Sequence, residues 1–195
     1  MKVKICGVTN VSDAAMCEDM GADAVGFVHF PGRSRSIPLE TISDICSTLG
    51  PMTAKVLVCA PSEQGHAVEL ASRCGVDALQ LYTMSPAQLD EIRETGVKVM
   101  RVIRPDRALA IEFVDSVDAL VFESGEPGKG TPYDYSRIPV DCCPRAIIAG
   151  GLNLANLSLA KALHPYALDV SSGVERSPGK KDPQLVSEFV RRCKE

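Results

Sequence analysis

The sequence predicts an α/β protein with the fold of a single-domain (β/α)8 TIM barrel that spans residues 1–195. Short apolar segments alternate with segments of helical character. Most of the apolar segments are nearly continuous in Val, Ile, Leu and Ala, as in parallel strands buried on both faces. A similar turn recurs before three of these segments, at 21–25, 75–79 and 116–120. No Gly-x-Gly-x-x-Gly follows the first strand, which disfavours the alternative, an open doubly wound sheet.

Eight strands are predicted from the apolar segments, at 2–8, 24–30, 54–60, 78–82, 98–104, 119–124, 145–149 and 167–171. Eight helices are predicted in the intervening segments and at the end, at about 11–20, 39–49, 62–74, 86–95, 107–116, 133–138, 154–163 and 183–193. Because barrels of this kind usually have about 250 residues, this shorter chain is expected to have short loops and a stunted sixth helix.

The residues that flank the predicted helices are typical of helix ends. Ser85-Pro86-Ala87-Gln88 has the pattern of an N-cap, a proline in the first turn and a capping box. Asp182-Pro183 repeats the N-cap followed by proline. Gly21, Gly75 and Gly96 stand where a helix C-terminus commonly needs a left-handed residue.

The composition disfavours several classes of protein. The net charge of −4 provides no basic field for nucleic acid, and the absence of Trp argues against a base-stacking surface. No signal peptide and no run of about 18 apolar residues is visible, so we expect a cytoplasmic protein without a membrane partner. The eight cysteines include no Cys-x-x-Cys pair, so we expect mostly buried, inert thiols and no metal site.

The first strand ends with a cysteine, at the end of the barrel where active sites of this fold lie. Because side chains alternate between the two faces of a strand, Val3 and Ile5 are expected to face the helices, and Lys4 and Cys6 the barrel interior. A lysine beneath a cysteine lowers the pKa of the thiol and favours the reactive thiolate. A buried structural cysteine is the alternative interpretation.

Glu123 ends the apolar segment of the sixth strand and shares the predicted inward face of Ala119 and Val121. Partial burial raises the pKa of a carboxyl group, which suits a general acid. Two alternatives stay open. Arg101 on the fifth strand would keep the carboxyl ionised if it also points inward, or Glu123 is a solvated residue at the edge of a loop.

The loops after the last two strands are predicted to bind phosphate. Gly150-Gly151 follows the seventh strand and Ser172-Gly173 the eighth, which are the two places where this fold commonly holds a phosphate group. Asp169 and Ser171 share the polar inward face of the eighth strand. Two other loops are candidates for anion contacts or are surface turns, at 31–36 and 125–131. This pattern predicts acid–base chemistry on a small phosphorylated substrate, with neither a metal nor a cofactor.

Five segments form a pattern that runs in order over nearly the whole chain. They are Lys-Ile-Cys-Gly-Val-Thr-Asn at 4–10, Gly-Ala-Asp-Ala-Val-Gly-Phe-Val at 21–28, Ala-Gly-Gly-Leu-Asn at 149–153, Asp-Val-Ser-Ser-Gly-Val-Glu at 169–175 and Pro-Gly-Lys-Lys-Asp at 178–182. Together they resemble the phosphoribosylanthranilate isomerase family of tryptophan biosynthesis. The resemblance implies an Amadori rearrangement of N-(5-phosphoribosyl)anthranilate to 1-(2-carboxyphenylamino)-1-deoxyribulose 5-phosphate. We expect this phosphoribosyl compound as the partner, and either a monomer or a homodimer.

The resemblance also implies roles for single residues. Cys6 matches the family's base, Arg35 the arginine that holds the anthranilate carboxylate, and Asp169 an acidic residue beside the substrate amine. Four residues match the phosphate-binding loops, namely Gly150, Gly151, Ser172 and Gly173.

The sequence departs from the family pattern at two positions. Glu123 stands where the family usually has Asp, so the acid function is kept while the carboxyl reaches about one methylene farther. Tyr82 stands where the family has His, and is expected either to stack on the anthranilate ring or to fill space.

Two other functions are consistent with the sequence. One is a histidine-pathway or dual-substrate phosphoribosyl isomerase, disfavoured because that family has acidic residues after strands 1 and 5, where this chain has Cys6 and Arg104-Pro105. The other is a non-catalytic barrel that binds a phosphometabolite.

Overall fold

Eight parallel strands pair in chain order and close into a barrel in the computed structural model, which describes residues 1–124 and 132–195. The strands are β1 (Lys2–Cys6), β2 (Ala24–Val28), β3 (Ala54–Cys59), β4 (Ala78–Leu81), β5 (Lys98–Ile103), β6 (Ala119–Phe122), β7 (Ala146–Ile148) and β8 (Ala167–Val170). Each strand lies within its predicted segment, and the predicted barrel is confirmed.

Helices cover the outside of the barrel. Among the described residues they are α1 (Val11–Asp19), α2 (Leu39–Thr48), α3 (Gln64–Cys74), α4 (Pro86–Glu94), α5 (Arg107–Phe113), α6 (Leu157–Lys161) and α7 (Pro183–Lys194). The predicted capping box between Ser85 and Gln88 begins α4, Asp182 caps α7, and α3 ends at Gly75 in the left-handed conformation. In residues 1–124 and 132–195, no helix is long and apolar enough to cross a membrane.

The sixth βα unit differs from the prediction. The segment 133–138 forms a 3₁₀ turn at Tyr135–Arg137, which is followed by a second at Val140–Cys142, and not a regular helix. Pro139 lies between the two turns, and a proline has no backbone N–H to continue a helical ladder. A short hairpin that the sequence did not predict, β9 (Glu175–Ser177) and β10 (Lys180–Lys181), follows β8.

The inward and outward faces of the strands have different side chains. One buried apolar cluster fills the interior and comes from the later strands, with Val102, Ala119, Val121, Ile147, Ala149 and Ala167. The larger cluster packs between strands and helices and includes Val3 and Ile5, as predicted. The earlier strands instead bring buried polar side chains, among them Lys4 and Gln80, so the interior becomes polar on one side.

Candidate active site

A cavity of about 460 Å³ opens at the carboxyl ends of the strands. This volume is within the range of small-molecule sites, about 300–1,000 Å³. Its lining includes Cys6, Gln80, Tyr82, Glu123, Asp169 and Ser171, together with Arg35 and the loop glycines Gly150 and Gly151. Candidates from β1, β6, β7 and β8 thus meet in one cavity. The segment 125–131, a predicted candidate for anion contacts, lies outside the described residues.

Cys6 ends β1 with its side chain toward the cavity, and Lys4 is the preceding inward-facing residue of the same strand. A Cβ atom at Gly26 of the neighbouring strand would lie 2.9 Å from both Cys6 Sγ and Lys4 Nζ, so glycine leaves the room that the pair needs. Burial raises the pKa of the Cys6 thiol, whereas Lys4 and Lys181 lower it. The predicted effect of Lys4 is present, but burial outweighs it in the cavity without substrate.

Asp169 joins β8 to β1 through a buried ion pair. Lys4 Nζ donates to Asp169 Oδ2 at 2.7 Å, and both side chains are almost fully buried. Burial raises the pKa of the Asp169 carboxyl, and the nearby Lys4 opposes this shift. Asp169 Oδ1 is buried without a hydrogen-bond partner among the described residues. It is therefore an acceptor available to a donor group of a ligand, because buried polar atoms are normally paired.

Glu123 follows β6 directly and is half-buried at the cavity. Burial raises the pKa of its carboxyl group, and a hydrogen bond from Tyr82 lowers it in part. Tyr82 Oη donates to Glu123 Oε2 at 2.8 Å. The net direction agrees with the sequence-based expectation of a general acid.

The alternative in which Arg101 pairs with Glu123 is wrong. Arg101 Nη1 donates to the carbonyl oxygens of Leu81 and Val102, and its guanidinium group lies 4.9 Å from the centre of the Phe113 ring on α5. The inward apolar positions of β5 belong instead to its neighbours Met100 and Val102. Arg101 is thus on the helix-facing side of the strand.

The two predicted phosphate loops contact each other above β7 and β8. A Cβ atom at Gly173 would lie 2.0 Å from the carbonyl oxygen of Leu152, so only glycine permits this approach. Tyr135 Oη donates to the carbonyl of Gly150, and Asn156 Nδ2 to that of Gly151, each at 2.8 Å. Because a trans peptide places N–H opposite C=O, these bonds direct the following N–H groups away from Tyr135 and Asn156.

Arg35 reaches the cavity from the loop after β2 and is held by Glu175 of β9. Arg35 Nη2 lies 2.7 Å from Glu175 Oε2, and Nε donates to Oε1 at 2.9 Å. The Lys181 ammonium group of β10 is fully buried and donates to Glu175 Oε1 at 2.8 Å and to the carbonyl oxygen of Cys6 at 2.5 Å. The hairpin thereby connects the carboxyl end of β1 to the loop after β2.

Sequence reasoning did not assign roles to Glu175 and Lys181. Both lie within matched motifs, Asp-Val-Ser-Ser-Gly-Val-Glu and Pro-Gly-Lys-Lys-Asp, and this was the available signal. In residues 1–124 and 132–195, no group of three or more His, Cys, Asp or Glu side chains is arranged to hold a metal ion.

Replacing Lys181 with Met is expected to lower the free energy of unfolding by about 3–5 kcal/mol, since removing one partner of a buried ion pair leaves the other poorly compensated. Here Glu175 loses one of its two cations, and the Cys6 carbonyl loses a donor. Urea unfolding followed by circular dichroism measures the change. Lys180→Met is the matched control on the exposed side of the same hairpin and should change stability by less than about 0.5 kcal/mol. Equal unfolding midpoints for the two variants would show that the buried lysine is not structural.

Comparisons with known proteins give one consistent result. A family model described as "PRAI: N-(5'phosphoribosyl)anthranilate (PRA) isomerase" matches residues 3–192. The N-(5'-phosphoribosyl)anthranilate isomerase of Geobacter sp. (strain M21) is 37% identical over 200 residues, which cover 99% of this chain and 98% of that protein. The crystal structure of phosphoribosyl anthranilate isomerase from Thermotoga maritima superposes with a TM-score of 0.92 at 32% identity, covering 100% of this chain and 98% of the other. A structure of such an isomerase in complex with reduced 1-(o-carboxyphenylamino)-1-deoxyribulose 5-phosphate superposes with a TM-score of 0.89 at 31% identity, with the same coverage.

Proposed function

The chain belongs to the N-(5'-phosphoribosyl)anthranilate isomerase family of tryptophan biosynthesis, and on that premise we propose which of its residues carry out the isomerase reaction. The substrate is N-(5'-phosphoribosyl)anthranilate and the product 1-(2-carboxyphenylamino)-1-deoxyribulose 5-phosphate. Cys6 is the general base and Glu123 the general acid. The observation that carries the assignment is that a thiol and a carboxyl group of raised pKa open into one cavity, beside two glycine-containing loops.

Glu123 starts the reaction by opening the ribose ring. Because its pKa is raised by burial, a larger fraction of the carboxyl group carries a proton near neutral pH than in water. The acid gives this proton to the ribose ring oxygen as the bond between C1′ and that oxygen breaks. The lone pair of the anthranilate nitrogen forms the new C=N bond, so the intermediate is a cationic Schiff base.

Cys6 then removes the proton from C2′ as a thiolate. The electrons of the C2′–H bond form a C1′=C2′ double bond and neutralise the nitrogen, which gives an enolamine that tautomerises to the ketone. Burial disfavours the thiolate in the cavity without substrate, whereas Lys4 and Lys181 favour it. The cationic Schiff base adds a further positive charge beside the sulfur, so the thiol becomes more acidic at the step that needs the thiolate.

The remaining candidates bind and orient the substrate. Asp169 Oδ1, which has no partner among the described residues, accepts the hydrogen of the substrate amine. Arg35 binds the anthranilate carboxylate, in an orientation fixed by Glu175. The loops with Gly150, Gly151 and Ser172 bind the phosphate at the cavity edge, and Gly173 holds one loop against the other.

The test is the loss of anthranilate-type fluorescence when purified protein meets freshly prepared N-(5'-phosphoribosyl)anthranilate without added metal. We expect rapid loss with the wild-type protein and a loss at least about 10²-fold slower with Cys6→Ala. The same protein is also given the histidine-pathway substrate, for which we expect no turnover. A well-folded protein that binds the phosphoribosyl compound without converting it would favour a non-catalytic barrel and contradict the proposal.

A further inference from the structure

Tyr82 and Glu123 form a hydrogen-bonded pair across the mouth of the barrel. Tyr82 directly follows β4 and Glu123 directly follows β6, so the two side chains meet over the end of the intervening strand β5. Tyr82 Oη lies 2.8 Å from Glu123 Oε2. Because β4 and β6 are not neighbours in the barrel, the contact depends on two side chains long enough to meet across β5.

Both partners of the pair are supported from the side. The Tyr82 ring packs edge-on against Phe30, with ring centres 5.7 Å apart and an angle of 84° between the planes. Glu123 Cγ lies only 3.3 Å from where a Cβ atom of Gly150 would be, so the glycine leaves space for the methylene chain of the glutamate. The Glu123 side chain has several rotatable bonds, and these contacts restrict it both at Cγ and at the carboxyl group.

The direction of the hydrogen bond determines where an acidic proton can reside. In a protonated carboxyl group the oxygen without hydrogen is the better acceptor, so a phenol that donates to one oxygen favours the proton on the other. Donation from Tyr82 Oη to Oε2 therefore favours Oε1 as the site of the proton in the neutral acid. Burial raises the pKa of the Tyr82 phenol, so it remains a donor through the neutral pH range.

We propose that Tyr82 is a positioning residue for the general acid, which fixes the carboxyl group of Glu123 and keeps its transferable proton on Oε1. This inference rests on the proposed function, since it assumes that Glu123 donates a proton. After the transfer, the same phenol donates to a carboxylate, and such charge-assisted hydrogen bonds are roughly twice as strong as neutral ones. Tyr82 therefore stabilises the state that follows proton donation more than the state that precedes it, which is the requirement for acceleration.

Tyr82→Phe removes the hydroxyl group alone and tests the inference. We expect kcat to fall roughly 10- to 100-fold, because a misplaced acid loses about that factor, while KM changes less than about threefold because the ring stays. The basic limb of the pH profile of kcat should also move to higher pH. The hydrogen bond lowers the pKa of Glu123, so its loss raises that pKa and keeps the acid protonated at higher pH.

Tyr133→Phe is the matched control. Tyr133 Oη donates to the carbonyl oxygen of Phe122, next to Glu123 in the chain, and not to the carboxyl group. Its removal should leave the basic limb in place. Tyr82→Leu addresses the alternative that the ring stacks on the anthranilate ring of the substrate. A KM that rises in Tyr82→Leu, with normal kcat and pH profile in Tyr82→Phe, would overturn the positioning role.

A double-mutant cycle separates this inference from the proposed function. Glu123→Asp withdraws the carboxyl group by one methylene, so Tyr82→Phe in that background should change kcat less than about twofold. Equal effects of Tyr82→Phe in both backgrounds would overturn the coupling. If Glu123→Gln is inactive while Tyr82→Phe keeps the wild-type kcat and basic limb, only the inference fails. If Glu123→Gln is fully active, the acid assignment fails and the inference with it.

Discussion

Cys6→Ala is expected to reduce kcat by about 10²–10⁴-fold, the range that a positioned general acid or base supplies. The variant removes the one group at the end of β1 that we assign to the C2′ proton, and it leaves Lys4, Asp169 and the ring-opening acid in place. Because Cys6 is only half-buried at the cavity, the fold should survive with a small change in stability. Fluorescence progress curves at saturating substrate measure kcat, and circular dichroism checks the fold.

Cys59→Ala is the matched control for this experiment. Cys59 also ends a strand of the barrel, β3, but it belongs to the apolar layer between strands and helices. Its replacement should cost stability through a small cavity and leave kcat within about twofold of wild type, because general base catalysis needs contact with the substrate. Near-normal turnover by Cys6→Ala, with the fold intact, would mean that another group removes the C2′ proton.

Glu123→Gln is expected to have the second large effect, a loss of about 10²–10⁴-fold in kcat. Gln has nearly the same shape and fills the same space beside Tyr82 and Gly150, but it has no acidic proton for the ribose ring oxygen. Glu123→Asp keeps the acid and withdraws it by one methylene, so it should lose less, on the order of 10²-fold at most.

The pH dependence of the same variants gives an independent measure. In the wild-type protein, kcat should fall at alkaline pH as Glu123 loses its proton, and the raised pKa places this limb above the usual range of a glutamic acid. Glu123→Gln should lack that limb in its residual activity. A lower kcat for Glu123→Asp than for Glu123→Gln would place the acid elsewhere in the cavity.

The fold could be predicted because its signals are local. Continuous apolar segments mark strands buried on both faces, and residues such as Ser85, Asp182 and Gly75 mark helix ends. The sixth helix was expected to be stunted, and the segment forms only 3₁₀ turns, with Pro139 between them.

The site could be predicted only in part. Cys6 and Glu123 could be placed at the end of the barrel where the cavity lies, because strand alternation and the position of active sites in barrels are general rules. The direction of Arg101 stayed open, because alternation gives a side chain's direction only when the phase of the strand is known. Contacts between distant residues, such as Lys181 with Cys6, 175 positions apart, leave no periodic signal in the chain.

The buried ion pair between Lys4 and Asp169 also bears on how the molecule assembles during synthesis. Its partners are 165 positions apart, and ribosomes add about 5–20 residues per second, so roughly 8–33 s separate their appearance. Until β8 exists, one side of β1 is an unpaired edge, and such edges invite aggregation. Contacts of this sequence separation also form slowly in refolding. The first strand thus carries Cys6, the proposed base, together with Lys4, but Asp169 and Lys181 join them only when the last strand closes the ring. The return of turnover after denaturation should therefore report ring closure.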